Sequence, residues 1–337
     1  MDGVISMINK KLNLSEKLFK KEIEMVPTRQ GYGEGLVAAG EKDERVVVLC
    51  ADLTESTKSI LFKEKFPERF IEVGVAEQGM ATLAAGMANY GKIPFISSYA
   101  AFSPGRNWEQ IRTTIALNDV PVKIAGSHTG LSVGPDGATH QMLEDIALMR
   151  TMPNMIVIAP SDSVEARKAT IEAAKNDKPT YIRFAREKSA VMTTEKTPFK
   201  IGKAETFWES KDPKAAIIAC GPLLYEALEA AKLLEKSKIE VLVINSHTIK
   251  PMDEQAVIKA AKITGAVVTV EEHQITGGLG GAVSEVLSRN FPVPIEFVGM
   301  PDSFGESGTP DELLEKYGMK AKSIVEAVKK VISRKDN

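Results

Sequence analysis

Two histidines, His128 and His140, close the ends of the segment HTGLSVGPDGATH, and Asp136 lies between them. Imidazole changes charge nearest neutral pH, so a pair of histidines around a polar loop suits proton transfer. Loops of this Gly-, Ser-, Thr- and Pro-rich kind carry function when a rigid scaffold presents them. Glu77 opens the small-residue run EQGMATLAAGMA. The helix dipole favours a carboxylate there by roughly 0.3–1 kcal/mol without any function, so a structural role competes with an acid–base one. Tyr99 and Phe102 are either core aromatics or a platform for a flat ligand. Asp52, with Thr54, Glu55 and Ser56 after it, and Arg183 with Arg186 complete the set. Carboxylates, imidazoles, aromatics and arginines brought together make a polar enzyme site. Residue chemistry alone carries the reading no further.

These groups need elements to gather them. Each sits at or just beyond the end of an apolar, β-branched run: VVVLCAD (46–52), FIEVGVA (70–76), IPFISSY (93–99), VKIAGSH (122–128) and TYIRFA (180–185), with MIVIAP (155–160) as a sixth. Helical segments separate the runs, a rhythm that predicts a parallel sheet covered by helices on both faces. Ligands of such sheets bind beyond the carboxyl ends of the strands. A second α/β region follows with AAIIAC (215–220), EVLVINS (240–246), AVVTVEE (266–272) and IEFVGM (295–300). The expected fold class is therefore α/β, with two domains that each hold a mostly parallel sheet. Expected boundaries are 1–27 for an N-terminal helical arm, 28–191 and 205–337 for the domains, and 192–204 for the linker. The arm's helix is predicted over LSEKLFKKEIEM (14–25), where apolar residues recur at helical spacing, with Pro27 marking its end.

The 43 basic and 45 acidic residues give a net charge of -2, without the basic stripe of a nucleic-acid binder. No apolar run approaches the ~20 residues of a membrane span. Two cysteines, Cys50 and Cys220, have no metal-binding spacing, and a reduced cytoplasmic protein is the default expectation. TGGLGGAV (276–283) could bind an anion at a helix start, but it lacks the full dinucleotide fingerprint. Tight helix–sheet packing or an interface role is preferred for it.

RFIEVGVAEQGMATLAAGMA (69–88), SHTGLSVGPDGATHQMLEDIALMR (127–150) and PTYIRFAR (179–186) resemble the pyrimidine-binding domain of transketolases. INSHTIKPMD (244–253) and VEEHQITGGLGGAV (270–283) are similar to the transketolase C-terminal domain, so the resemblance spans about residues 28–335. It implies thiamine diphosphate as cofactor, with Glu77 matching the glutamate that hydrogen-bonds the aminopyrimidine N1′ and so activates it. Burial against an aromatic ring favours the protonated form of a carboxyl, which suits that task. Phe102 matches the aromatic that stacks on the pyrimidine, and Tyr99 a second aromatic nearby. Asp52 matches an aspartate close to the thiazolium, and Asp136 one that reads a substrate hydroxyl. His128 and His140 match histidines that contact the sugar and assist proton transfers. Arg29, Ser56 and Arg186, with His128, match the residues that receive a substrate phosphate, a task suited to the planar guanidinium fork. In 1-deoxy-D-xylulose 5-phosphate synthase an arginine follows the stacking phenylalanine by three positions. Here that place is Gly105, with Arg106 one further along.

The family's diphosphate- and metal-binding signature, G-D-G followed by Asn-Asn, is not found in the sequence. The resemblance thus implies the C-terminal subunit of a split transketolase. An N-terminal subunit would hold the diphosphate and a divalent cation such as Mg or Ca, in an assembly of two chains of each kind. The reaction implied is transfer of a two-carbon ketol unit between sugar phosphates. Three alternatives stay open: a 1-deoxy-D-xylulose 5-phosphate synthase-like protein, a 2-oxo acid dehydrogenase beta-like subunit, and a non-catalytic regulatory partner of a full-length relative.

Overall fold

The computed structural model describes residues 7–335; residues 1–6 of the expected arm and 336–337 of the expected last domain lie outside the described residues. The first half contributes β1 (Met25–Pro27), β2 (Val46–Cys50), β3 (Phe70–Glu72), β4 (Ile93–Tyr99), β5 (Lys123–Ser127), β6 (Ile156–Ile158), β7 (Thr180–Arg183) and β8 (Lys188–Ala190). The second contributes β9 (Glu205–Trp208), β10 (Ala215–Ala219), β11 (Val241–Asn245), β12 (Thr248–Lys250), β13 (Val267–Gln274) and β14 (Ile295–Met300).

β2 is buried at every position, which is why its sequence reads as an unbroken apolar run and not as an alternation. Its residues still divide between faces. Val47 and Leu49 pack with Met80, Ala81 and Ala84 of the helix Glu77–Asn89. Val46 and Val48 pack on the other side with Leu36 and Ala39 of the helix Thr28–Lys42. Each such aliphatic side chain contributes roughly 1.5–3 kcal/mol when fully buried. The helix Thr28–Lys42 approaches the helix Ser163–Ala174 closely enough that a Cβ on Gly31 would lie 1.8 Å from the Ser163 carbonyl oxygen.

The first sheet runs β12–β6–β7–β5–β4–β2–β3 and the second β14–β13–β10–β11–β9. Both are parallel except at one edge, where β12 and β9 run antiparallel to their neighbours. Mixed α/β architecture with mostly parallel, helix-flanked sheets is as expected. The cluster that buries Val47 and Leu49 also holds Ile218, Val257, Val283 and Leu287, so it continues into the second half. β12 comes from that half yet completes the first sheet, pairing Thr248 with Ile158. The INSHTIKPMD stretch is thereby a stitch between the two halves.

The helix predicted over 14–25 is not formed. Residues 16–22 make turns, and Met25 already belongs to β1. Asn13 and Phe19 take left-handed backbone, at φ 52° and 67°, which breaks a right-handed helix. The apolar residues dock one by one on the second half instead. Phe19 meets Trp208 edge-on at 6.2 Å, and the Lys232 ammonium lies 4.6 Å from its ring centre. Helical spacing here belongs to a strap whose Leu14, Leu18, Phe19 and Ile23 pack against the core of the second half. Pro27 ends a strand, and the helix Thr28–Lys42 starts immediately after it.

Candidate functional site

β3, β2, β4, β5 and β7 are parallel and adjacent in the sheet, so their carboxyl ends share one edge. The chain passes from β2 outward to β3, then back across β2 to β4. Such a reversal opens a crevice at the strand ends. Glu77, Tyr99, Phe102, His128 and Arg186 all follow these ends.

Glu77 is the first residue of its helix and only 2% exposed. One carboxylate oxygen, Oε1, accepts from the Ser98 hydroxyl at 3.4 Å. The other, Oε2, accepts from Arg106 Nη1 at 2.8 Å. Asn107 Nδ2 donates to the Glu77 carbonyl at 3.0 Å and to Ser103 Oγ at 3.1 Å, tying the 103–107 loop to the helix start. The burial expected of Glu77 is present, together with a guanidinium partner that its sequence position does not announce.

Beside it stands an aromatic cluster. Tyr99 and Phe102 lie nearly parallel with ring centres 6.2 Å apart. Tyr99 stacks on His128 at 3.8 Å, and His140 turns its edge toward Phe102 at 5.5 Å. His128 occupies left-handed backbone at φ 55° and meets Ser127 Oγ through Nδ1 at 2.9 Å. Burial pushes its pKa down to about 3, with Arg29, Arg186 and His140 adding repulsion. The ring is therefore neutral at physiological pH. His140 is fixed by Thr139 Oγ1 at 2.9 Å.

The arginines arrive from opposite ends of the domain. Thr28 Oγ1 accepts from the Ala185 amide at 2.8 Å, across 157 positions of sequence, and so sets Arg29 near Arg186. Arg29 Nη1 donates to the Ser56 carbonyl at 2.7 Å, while its buried Nε has no hydrogen-bond partner. Burial, then the Arg186 charge, lowers the Arg29 pKa from its ordinary value. Arg186 donates to the Val133 carbonyl at 2.7 Å and reaches Asp136 at 3.5 Å. A dianion between the two guanidiniums would relieve their repulsion and satisfy the orphaned Nε.

Both halves hold the loop that carries His128, Asp136 and His140. Gln141 Nε2 donates to the carbonyls of Leu131, Gly134 and Glu306, and the Ser132 amide donates to Glu272. Asp52 is exposed at the end of β2 in left-handed backbone, φ 57°, with its amide held by Glu72 at 2.8 Å. It shares the sheet edge without bonding to the cluster. Arg183 stands apart from the crevice. It is 5% exposed, pairs with Asp145 at 2.8 Å and donates to the Glu272 carbonyl at 2.7 Å. The start of the helix Leu279–Asn290 is filled from within: Glu271 accepts from the Leu279 and Gly280 amides at 2.6 and 2.8 Å. That carboxylate takes the anion seat of the glycine-rich stretch, in keeping with a packing role.

The residues fit the aminopyrimidine half of thiamine diphosphate: a buried carboxylate next to an aromatic face on which a flat cation already lies, 4.8 Å from the Phe102 ring centre. Among the described residues no group of three or more His, Cys, Asp or Glu side chains is gathered to hold a metal. No described helix is long and apolar enough to cross a membrane. Cys50 and Cys220 are buried and unbridged.

The chain matches "Transketolase, pyrimidine binding domain" over residues 24–191 and "Transketolase, C-terminal domain" over residues 202–324. It is 44% identical over 303 residues to the "Putative transketolase C-terminal section" of Methanocaldococcus jannaschii, covering 89% of this chain and 94% of that protein. The "6-deoxy-6-sulfo-D-fructose transketolase subunit SqwH" of Clostridium sp. (strain MSTE9) is 41% identical, with 94% and 98% covered. Homo sapiens transketolase is 36% identical over 92% of this chain, which spans 49% of that longer protein. A solved structure described as "Split gene transketolase, inactive beta4 tetramer" aligns with a TM-score of 0.86 at 43% identity, covering 92% of this chain and 99% of that one. Campylobacter jejuni transketolase aligns at 0.78 with 26% identity, over 98% of this chain and 52% of its own. With both domain models matched and relatives above 40% identity, the chain belongs to the transketolase family and spans its pyrimidine-binding and C-terminal domains.

Proposed function

We propose that this chain is the catalytic C-terminal subunit of a split transketolase, which moves a two-carbon ketol unit between sugar phosphates in the cytoplasm. It would share thiamine diphosphate with an N-terminal subunit that grips the diphosphate and a divalent cation such as Mg or Ca, in an assembly of two chains of each kind. The observation that carries this reading is the meeting, at one sheet edge, of buried Glu77, the Phe102 face and the Arg29–Arg186 pair. Bound, the cofactor supplies a carbon nucleophile able to carry a two-carbon unit.

The chain's residues do the rest. Glu77 would face a ring nitrogen of the cofactor, and Phe102 would stack on the ring, with Tyr99 beside it. Asp52 would lie toward the thiazolium side. His128, neutral because burial and two arginines disfavour its cation, would accept a hydrogen bond from a sugar hydroxyl. His140 assists from the facing side, and Asp136, already turned to Arg186, would read a hydroxyl. Arg29 and Arg186, with Ser56 and His128, would take the anionic end of the sugar. Val75, just before the helix that Glu77 opens, and Leu83 within that helix are 70% and 45% exposed, a surface suited to a partner subunit.

The similarity to a sulfofructose transketolase subunit favours a second reading, because two guanidiniums can take a sulfonate as well as a phosphate. A coupled assay of the chain with its N-terminal partner tests both. Turnover of xylulose 5-phosphate with a phosphorylated acceptor supports the first, turnover of 6-deoxy-6-sulfofructose the second. Consumption of pyruvate without ketol transfer would refute both.

A further inference from the structure

The guanidinium of Arg106 touches two groups at once. Nη1 donates to Glu77 Oε2 at 2.8 Å, and its central carbon lies 4.8 Å from the Phe102 ring centre. A guanidinium and an aminopyrimidine are both flat, both present N–H groups along an edge, and both are drawn to an aromatic face. A ring that stacks on Phe102 while bonding Glu77 must take the volume this guanidinium fills.

We propose that Arg106 is an internal stand-in for the aminopyrimidine ring, a latch across the cofactor seat that must swing out before the ring can enter. The inference rests on the reading of Glu77 and Phe102 as that seat. Three features make it a latch and not a fixed strut. The Arg106 side chain is 46% exposed, against 1% for Glu77, and Glu77 is its one salt-bridge partner among the described residues. The backbone beneath it is fixed: the Gly105 amide donates to the Ala100 carbonyl at 3.0 Å, and Asn107 is tied to Glu77. A Cβ at position 105 would lie 2.1 Å from the Ala101 carbonyl oxygen, so glycine is required there. The loop thus delivers the side chain to Glu77 while leaving its stem free to move through solvent. The same constraint explains why the arginine sits at 106 and not at 105. A subunit without its partner would then keep its activating carboxylate paired and its stacking face covered. Cofactor would load once the partner's contacts outweigh the latch.

Calorimetric titration of the full chain with 4-amino-5-hydroxymethyl-2-methylpyrimidine, the ring alone, tests this without any turnover. Losing one half-exposed charged hydrogen bond should tighten binding to Arg106→Ala about tenfold relative to the native chain. Arg106→Lys, which keeps the charge without the flat stack, should fall between. Should the alanine variant fold poorly, Arg106→Gln repeats the measurement. Equal or weaker binding by the variants, including none by either variant or native chain, overturns the latch. Phe102→Ala separates the two readings. If it weakens ring binding while Arg106→Ala changes nothing, the seat stands and the latch falls. If neither change matters, both fall.

Discussion

Acidification from pH 7 to pH 5 should destabilise the chain through His128, and the size of the effect follows from the ring's surroundings. The side chain is 2% exposed, and its burial, followed by the charges of Arg29, Arg186 and His140, pushes its pKa down to about 3 from an ordinary 6.5. Once unfolded, the imidazole takes a proton as pH falls through 6.5, while the folded ring stays neutral until about 3. The unfolded state therefore binds more protons throughout that window. Stability is fully present above it and is lost progressively as pH drops. Between pH 7 and pH 5 the loss from this one ring is about 2 kcal/mol. The assay is urea unfolding at both pH values, at one protein concentration, for the native chain and for His128→Asn. Other titrating groups, among them buried His247, whose pKa is also pushed down to about 3, contribute equally to both proteins and cancel in the difference. The native chain should lose about 2 kcal/mol more than the variant. Equal losses would refute the claim that His128 is held neutral by its setting.

With the partner subunit present, Glu77→Ala should cut ketol transfer by about 100-fold or more while the assembly elutes unchanged in size-exclusion chromatography. Arg186→Ala should raise the KM for phosphorylated acceptors about 10- to 100-fold, the cost of a charged hydrogen bond. Unphosphorylated acceptors should be little affected, and equal effects on both would remove the anion role. Arg183→Met should destabilise the chain by about 3–5 kcal/mol in urea unfolding, because it leaves the Asp145 carboxylate buried without its cation. Adding Asp145→Asn should recover part of that loss.

The strand ends were legible because fully buried parallel strands leave unbroken apolar runs, and VVVLC and IPFISSY both form strands where those runs lie. The site residues followed as a group, since parallel neighbours deliver all their carboxyl ends to one edge. The Glu77–Arg106 pair was not legible. Its partners are 29 positions apart, and only the turn forced by Gly105 aims one at the other. Glu271 reads as an ordinary strand residue, yet it caps a helix eight positions on, a contact that exists only after strand and helix have packed. The three-residue strand Thr248–Lys250 has too little periodicity to register, and its pairing is decided by the other half of the chain. The segment 14–25 failed in the opposite direction: it carries helical spacing, but docking on Trp208 and its neighbours overrode local preference.

That borrowed strand bears on how the molecule can be taken apart. A cut in the stretch between the two family domains would remove Thr248–Lys250 and leave the Ile156–Ile158 backbone as a bare margin, open to pairing with any other chain. The same cut would free the 127–141 loop from Glu272 and Glu306, unfastening the histidines from behind. The rear half is thus a brace for the loop that carries both histidines. Exchanging it between relatives as a module should succeed only when its three-residue strand and both of those glutamate contacts travel with it.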